Sequence, residues 1–170
     1  MKKTIFFLGF ITLFFMVSSC ETNSSIEDLI EDTDPEGNGT AGILSAKIDG
    51  VTFTSQSDKV ESKRIERTDG SKTFSVTAKN EKFDKFTLIV SFYEGVGTYD
   101  AVLNSLSYHV NGDDRPHTAI KEQSAGSIVI ISDDGTTIKG TFSFTGTHQT
   151  TNAEKIITDG TFTVNPTLVN

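Results

Sequence analysis

From Ile43 to Val164 the chain is written almost wholly at period two. Leu44, Ala46 and Ile48 alternate with Ser45 and Lys47, and Val51 and Phe53 with Thr52 and Thr54. Successive side chains of an extended strand point to opposite faces, so each such segment carries one apolar face that must be buried against another segment. The pattern continues with Phe74, Val76 and Ala78, then Phe86, Leu88, Val90 and Phe92, whose opposite face is Thr87, Ile89, Ser91 and Tyr93. Tyr99, Ala101 and Leu103 follow a Gly95-Val96-Gly97-Thr98 break, and Leu106, Tyr108 and Val110 alternate with Ser107 and His109. Ile128 and Ile130 face one way and Val129 and Ile131 the other, which predicts a central strand at 126–132 covered on both faces. Ile138, Gly140, Phe142 and Phe144 share a face, as do Ile156, Thr158, Gly160, Phe162 and Val164.

The punctuation agrees. Asp49-Gly50 lies between two alternating runs, a strong signal for a two-residue hairpin turn. Thr68-Asp69-Gly70-Ser71, Asn80 to Asp84 and Asp133-Asp134-Gly135 read as further turns. Residues 59–67 are charged, with Val60 and Ile65 out of phase, as in a weak edge strand whose Lys and Arg discourage pairing with other chains. No stretch of the domain repeats apolar residues at helical spacing. About 8–10 short strands predict an all-β fold, an antiparallel β-sandwich with a calycin-like barrel as the alternative.

The first 42 residues follow other rules. Lys2 and Lys3 precede an apolar run from Ile5 to Val17, and the small residues Ser18 and Ser19 precede Cys20, the sole cysteine. These are the three parts of a secretory signal peptide. Thirteen helical residues span roughly 20 Å against a hydrocarbon core of about 30 Å, too short to cross comfortably. Val17-Ser18-Ser19-Cys20 resembles the lipobox of bacterial lipoproteins. That resemblance implies cleavage between Ser19 and Cys20, acylation of Cys20, and a partner in membrane lipid. Two or more acyl chains anchor a protein stably where one does not.

Residues 21–42 carry seven acidic side chains and no Lys or Arg, with Pro35 and Gly37-Asn38-Gly39. Such a segment cannot bury enough apolar surface to fold, and reads as a tether. The expected organisation is a signal peptide over 1–19, a lipidated Cys and flexible acidic tether over 20–42, and a single all-β domain over 43–170. The net charge of −8 is thus largely a tether property, since 43–170 carries 16 acidic and 13 basic residues. Nothing in it forms the basic footprint of a nucleic-acid binder. The domain has no disulfide pair, so its core alone must stabilise it.

Three pieces of the domain are similar to a group of uncharacterised exported lipoproteins of the Bacteroidota. They are Ala46-Lys47-Ile48-Asp49-Gly50-Val51-Thr52-Phe53, Gly140-Thr141-Phe142-Ser143-Phe144 and Ile157-Thr158-Asp159-Gly160-Thr161-Phe162. The resemblance implies a compartment, the outer membrane with the domain on its periplasmic or cell-surface face. It implies no activity and no site residues.

The chemistry available is sparse. His109, His117 and His148 are the only histidines, and the polar loop from Asn111 to His117 makes Asp113, Asp114 and His117 the candidate metal ligands. The Asp-rich turns lack the spacing of a calcium loop. Ser and Thr fall on strand faces, where β-propensity accounts for them, and there is no Gly-x-Ser-x-Gly elbow. With no Trp, a sugar-stacking platform has only Tyr93, Tyr99, Tyr108 and Phe side chains to use. The expectation is therefore a non-enzymatic envelope module without a cofactor, serving adhesion, an accessory role or structure. The alternative is a binder of a small ligand or glycan. An apolar cavity lined by Phe74, Phe92 and Phe142 would mark the binder, and tight packing the module.

Overall fold

The structure is a computed structural model and describes residues 42–101, 103–119 and 126–170. The signal peptide, Cys20 and the tether as far as residue 41 lie outside the described residues. Twelve strands follow in order: β1 (Gly42–Ile48), β2 (Val51–Thr54), β3 (Val60–Glu66), β4 (Lys72–Lys79), β5 (Lys85–Ser91), β6 (Gly97–Asp100), β7 (Ser105–His109), β8 (His117–Thr118), β9 (Gly126–Asp133), β10 (Ile138–His148), β11 (Glu154–Val164) and β12 (Thr167–Val169). A single 3-10 turn at Ser57–Lys59 leads into β3. No helix among the described residues is long and apolar enough to cross a membrane.

The all-β expectation holds. The strands form one hydrogen-bonded sheet rather than two, in the order β12-β3-β4-β5-β7-β8-β10-β11-β1-β2, with β9 and β6 branching from β10. That sheet is open and curled into a half-barrel, so its two halves face each other as sandwich layers would. All pairings are antiparallel except β12 on β3. By covering β3, β12 turns the expected edge strand into an inner one. Along β3 the inward positions are Val60, Ser62 and Arg64, which explains why its apolar residues looked out of phase.

Aromatic rings fill the concave side. Phe86 lies at its centre, with ring centroids 4.8 Å from Phe53, 5.0 Å from Tyr108 and 5.4 Å from Phe142. Most of these contacts are edge-on or tilted, the arrangements favoured by ring quadrupoles. Phe74 and Phe142 are 1% and 3% exposed and pack inside this cluster.

Phe92 departs from the alternating pattern. β5 ends at Ser91, Phe92 takes a positive φ of 55°, and its ring is 75% exposed. The break reverses the alternation, so Tyr93 takes the inward place at 3% exposure. Phe92 therefore does not line a cavity with Phe74 and Phe142, the arrangement that would have marked a ligand binder. Two further corrections have the same kind of cause. In β9 the register against β10 slips at Ile131, which is 59% exposed, while Val129 on the same face is half-buried, so the second face is only partly covered. In β11 an extra residue at Asp159, φ 51°, shifts the phase, leaving Ile156 exposed and Ile157 in the core.

Packing between β10 and β11 leaves no room for a side chain at two of their glycines. Gly140 faces Phe162 and Phe142 faces Gly160 in register. A Cβ added at Gly160 would collide with the Phe142 carbonyl and approach its ring to 2.7 Å. Gly160→Ala is expected to cost about 1–3 kcal/mol, in line with overpacking a filled core. Urea unfolding of the variant beside the wild type measures it.

Candidate functional site

Three polar clusters interrupt this apolar interior. The first surrounds the histidines. β8 lies between β7 and β10, with His117 in register with both Tyr108 and His148. The His117 and His148 rings are 5.2 Å apart and nearly edge-on, both buried. His148 Nδ1 accepts weak bonds from the Thr150 and Thr151 N–H groups at 3.3 Å, and its Nε2 lies 3.5 Å from Asp114 Oδ1. His117 Nδ1 is buried without a hydrogen-bond partner. Asp113 uses its backbone carbonyl, 2.9 Å from His109 Nε2. The candidate ligands Asp113, Asp114 and His117 are thus dispersed: Asp114 meets His148, Asp113 meets His109, and His117 is sealed beneath. No group of three or more His, Cys, Asp or Glu among the described residues is arranged to hold a metal ion.

Burial, reinforced by His148, pushes the His117 imidazole below its ordinary pKa. A depressed histidine keeps the folded state from taking a proton that the unfolded chain accepts. Stability is therefore full above the unfolded pKa near 6.5 and is lost as pH falls below it. Urea unfolding from about pH 7.5 down to about 5 is expected to show that decline, and His117→Gln to flatten it.

The second cluster is an ion pair inside the curl. Arg64 Nη1 lies 3.2 Å from Asp133 Oδ2, the same oxygen accepts the Tyr93 hydroxyl at 2.8 Å, and Arg64 Nη2 donates to the Gly135 carbonyl at 2.6 Å. The Arg64 and Asp133 side chains are 17% and 12% exposed. Burial and the neighbouring carboxylate raise the Tyr93 pKa, so the hydroxyl stays protonated and donates. This unit ties β3 to the β9–β10 turn across the sheet. Arg64→Ala would strand the Asp133 charge and is expected to cost about 3 kcal/mol, read by chemical denaturation.

The third is a groove of about 570 Å³ along β2. One wall is Val51 to Gln56, the other is the Asn80–Asp84 turn, and Phe53 and Tyr108 contribute apolar floor. The turn is knitted by its own side chains. Asn80 Oδ1 accepts from the Lys82 and Asp84 N–H groups, while Asp84 accepts from Asn80 Nδ2 and the Asn111 N–H. Burial and the nearby Asp84 carboxylate push the Tyr108 hydroxyl up to about 12. On the rim, Asp49 accepts from Lys155 Nζ at 2.7 Å and from the Ile156 N–H at 2.9 Å, which hold its pKa below the usual range. Gln56 Oε1 is buried with no partner. The groove is absent from the sequence-based candidates, because its walls are about 30 residues apart in the chain and only the curl brings them together.

A family model for a domain of unknown function, DUF6252, matches residues 40–166, and the chain belongs to that family. No curated protein and no solved structure matches the chain.

Proposed function

We propose that this DUF6252 member is a lipid-anchored module of the cell envelope that acts by presenting a surface, without catalysis. On this reading the signal peptide is cut between Ser19 and Cys20, Cys20 is acylated, and the acidic tether joins the domain to the outer membrane. The observation that carries the non-enzymatic part is how the interior is used. Phe53, Phe74, Phe86, Phe142, Phe144 and Phe162 occupy the concave side ring against ring, which supports a packed module over an interior ligand binder. The ionisable groups nearest the groove floor are also occupied. Asp84 and Asp49 bind backbone amides and neighbouring side chains, so they serve as loop struts. The anchoring part rests on the signal sequence and on Cys20 as the sole cysteine.

Cys20→Ser in the native host tests the anchor. The wild type is expected in the membrane fraction, with a Cys20 peptide heavier by its acyl groups in mass analysis. The variant is expected to leave that fraction. An unmodified Cys20 in the wild type sinks the anchoring reading.

A further inference from the structure

We infer that the free edge of β2 is a strand-addition site, which takes an extended segment of a partner protein into the groove as an added β-strand. The inference rests on the reading of the domain as an interaction module and names how its partner is held.

The hydrogen-bond phase of β2 carries the argument. Asp49 and Gly50, at φ 50° and 81°, form a two-residue turn with Ile48 opposite Val51. In such a hairpin the residues flanking the turn exchange both backbone bonds, and bonded and non-bonded pairs alternate from there. Ala46–Phe53 is the next bonded pair. The Ser55 N–H donating to the Leu44 carbonyl at 2.9 Å, one alternation further, confirms the phase. Lys47–Thr52 and Ser45–Thr54 are therefore non-bonded pairs, and the N–H and C=O groups of Thr52 and Thr54 point away from β1. β2 ends the sheet path, so no strand of the described residues lies on that side. No backbone bond from Thr52 or Thr54 to another loop occurs among the described residues.

Most sheet edges face open water or are guarded by charge, proline or a bulge. This one faces a wall. The Asn80–Asp84 turn stands opposite, and the Gln56 N–H donating to the Lys79 carbonyl at 3.0 Å closes one end. The volume enclosed lies in the range of ligand pockets. Val-Thr-Phe-Thr contains no charge, proline or glycine. Two donors and two acceptors repeat along the edge at strand spacing, which matches another extended backbone. A strand laid there would set alternate side chains above the Phe53–Tyr108 floor, so small or apolar residues suit those positions. Strand addition takes its affinity from main-chain bonds and its specificity from such alternate pockets.

The test uses the acylated chain in nanodiscs, and mass analysis of the same preparation reports acylation separately. Phage-displayed random heptapeptides are selected on it. The expected winners alternate apolar and polar residues and slow hydrogen exchange at the Thr52 and Thr54 amides. They bind Thr52→Pro about tenfold or more weakly, because proline removes one outward N–H and bars the edge. Thr52→Val keeps the N–H and is expected to bind as the wild type does. Should Thr52→Pro fail to fold, the exchange map decides alone. Selection of no peptide, or equal binding to Thr52→Pro, overturns the inference. So does protection mapped elsewhere. Concentration-dependent protection of Thr52 and Thr54 without any peptide, lost in Thr52→Pro, also overturns it by giving the edge to a second copy of the chain.

Discussion

Two glycines and two phenylalanines exchanged across β10 and β11 set the geometry of this domain. Phe162 lies opposite Gly140 and Phe142 opposite Gly160, with Thr141 and Thr161 paired between them. Each ring lies over a position with no side chain, so both can turn inward without competing for room. Cross-strand pairs of this kind fix register, because a slip of one residue would place both rings over threonine and turn them to solvent. With the rings directed inward, Phe142 reaches Phe86 and Phe162 reaches Phe74, at centroid distances of 5.4 and 6.0 Å. Those contacts bind the β10–β11 half of the sheet to the β4–β5 half. The curl follows from that requirement: a flat sheet cannot bring the two halves into contact.

Closure is left to polar groups at the periphery. The Arg64–Asp133–Tyr93 unit joins β3 to the β9–β10 turn, and Asp84 joins its own turn to Asn111. Such bonds are directional and contribute little per unit area. They position loops whose burial is modest, and rings carry the apolar energy. The His117–His148 pair has a different character. It seals a two-residue strand between two longer ones with imidazoles in place of hydrocarbon, which introduces acid sensitivity at that point of the core.

Period-two patterning was enough to read the strands, the Asp49-Gly50 hairpin and the inward residues Leu44, Ala46, Phe53, Phe74, Val76, Ala78, Phe86, Leu88 and Val90, because those segments are regular, although Val51 beside the turn is 70% exposed. Reading failed wherever one residue was inserted or one φ changed sign. Phe92, Ile131 and Asp159 each shift the alternation by one, and the exchanged exposure of Phe92 and Tyr93, or of Ile156 and Ile157, follows from that shift. No composition signal marks Phe92 or Ile131: Phe and Ile are among the least expected residues for a positive φ or an outward bulge, whereas Asp159 is of a type that tolerates one. The candidate sites fared less well, for a topological reason. His117 and His148 meet through a strand of two residues, too short to show any period. The two walls of the β2 groove share no sequence pattern at all.

The same irregularities that hide from patterning also decide where the molecule is unfinished. A sheet curled by its aromatic interior can end in two ways: its last strand meets its first and closes a barrel, or it stops short. Here β12 continues from β11 and pairs in parallel with β3, which protects one end with three residues. β2, tied to β1 by a two-residue turn, does not pair with β4, and a backbone contact is made just beyond it, from the Gln56 N–H to the Lys79 carbonyl. Closing that gap from within would need a longer β2 and would remove the Asn80–Asp84 wall. The chain instead spends seven of its residues' polar groups, from Asp49 through Asn80, Asp84 and Asn111, on keeping the two sides of the gap rigid and apart. Rigid loops around an unpaired strand are what a preorganised site requires, since ordering them on binding would cost affinity.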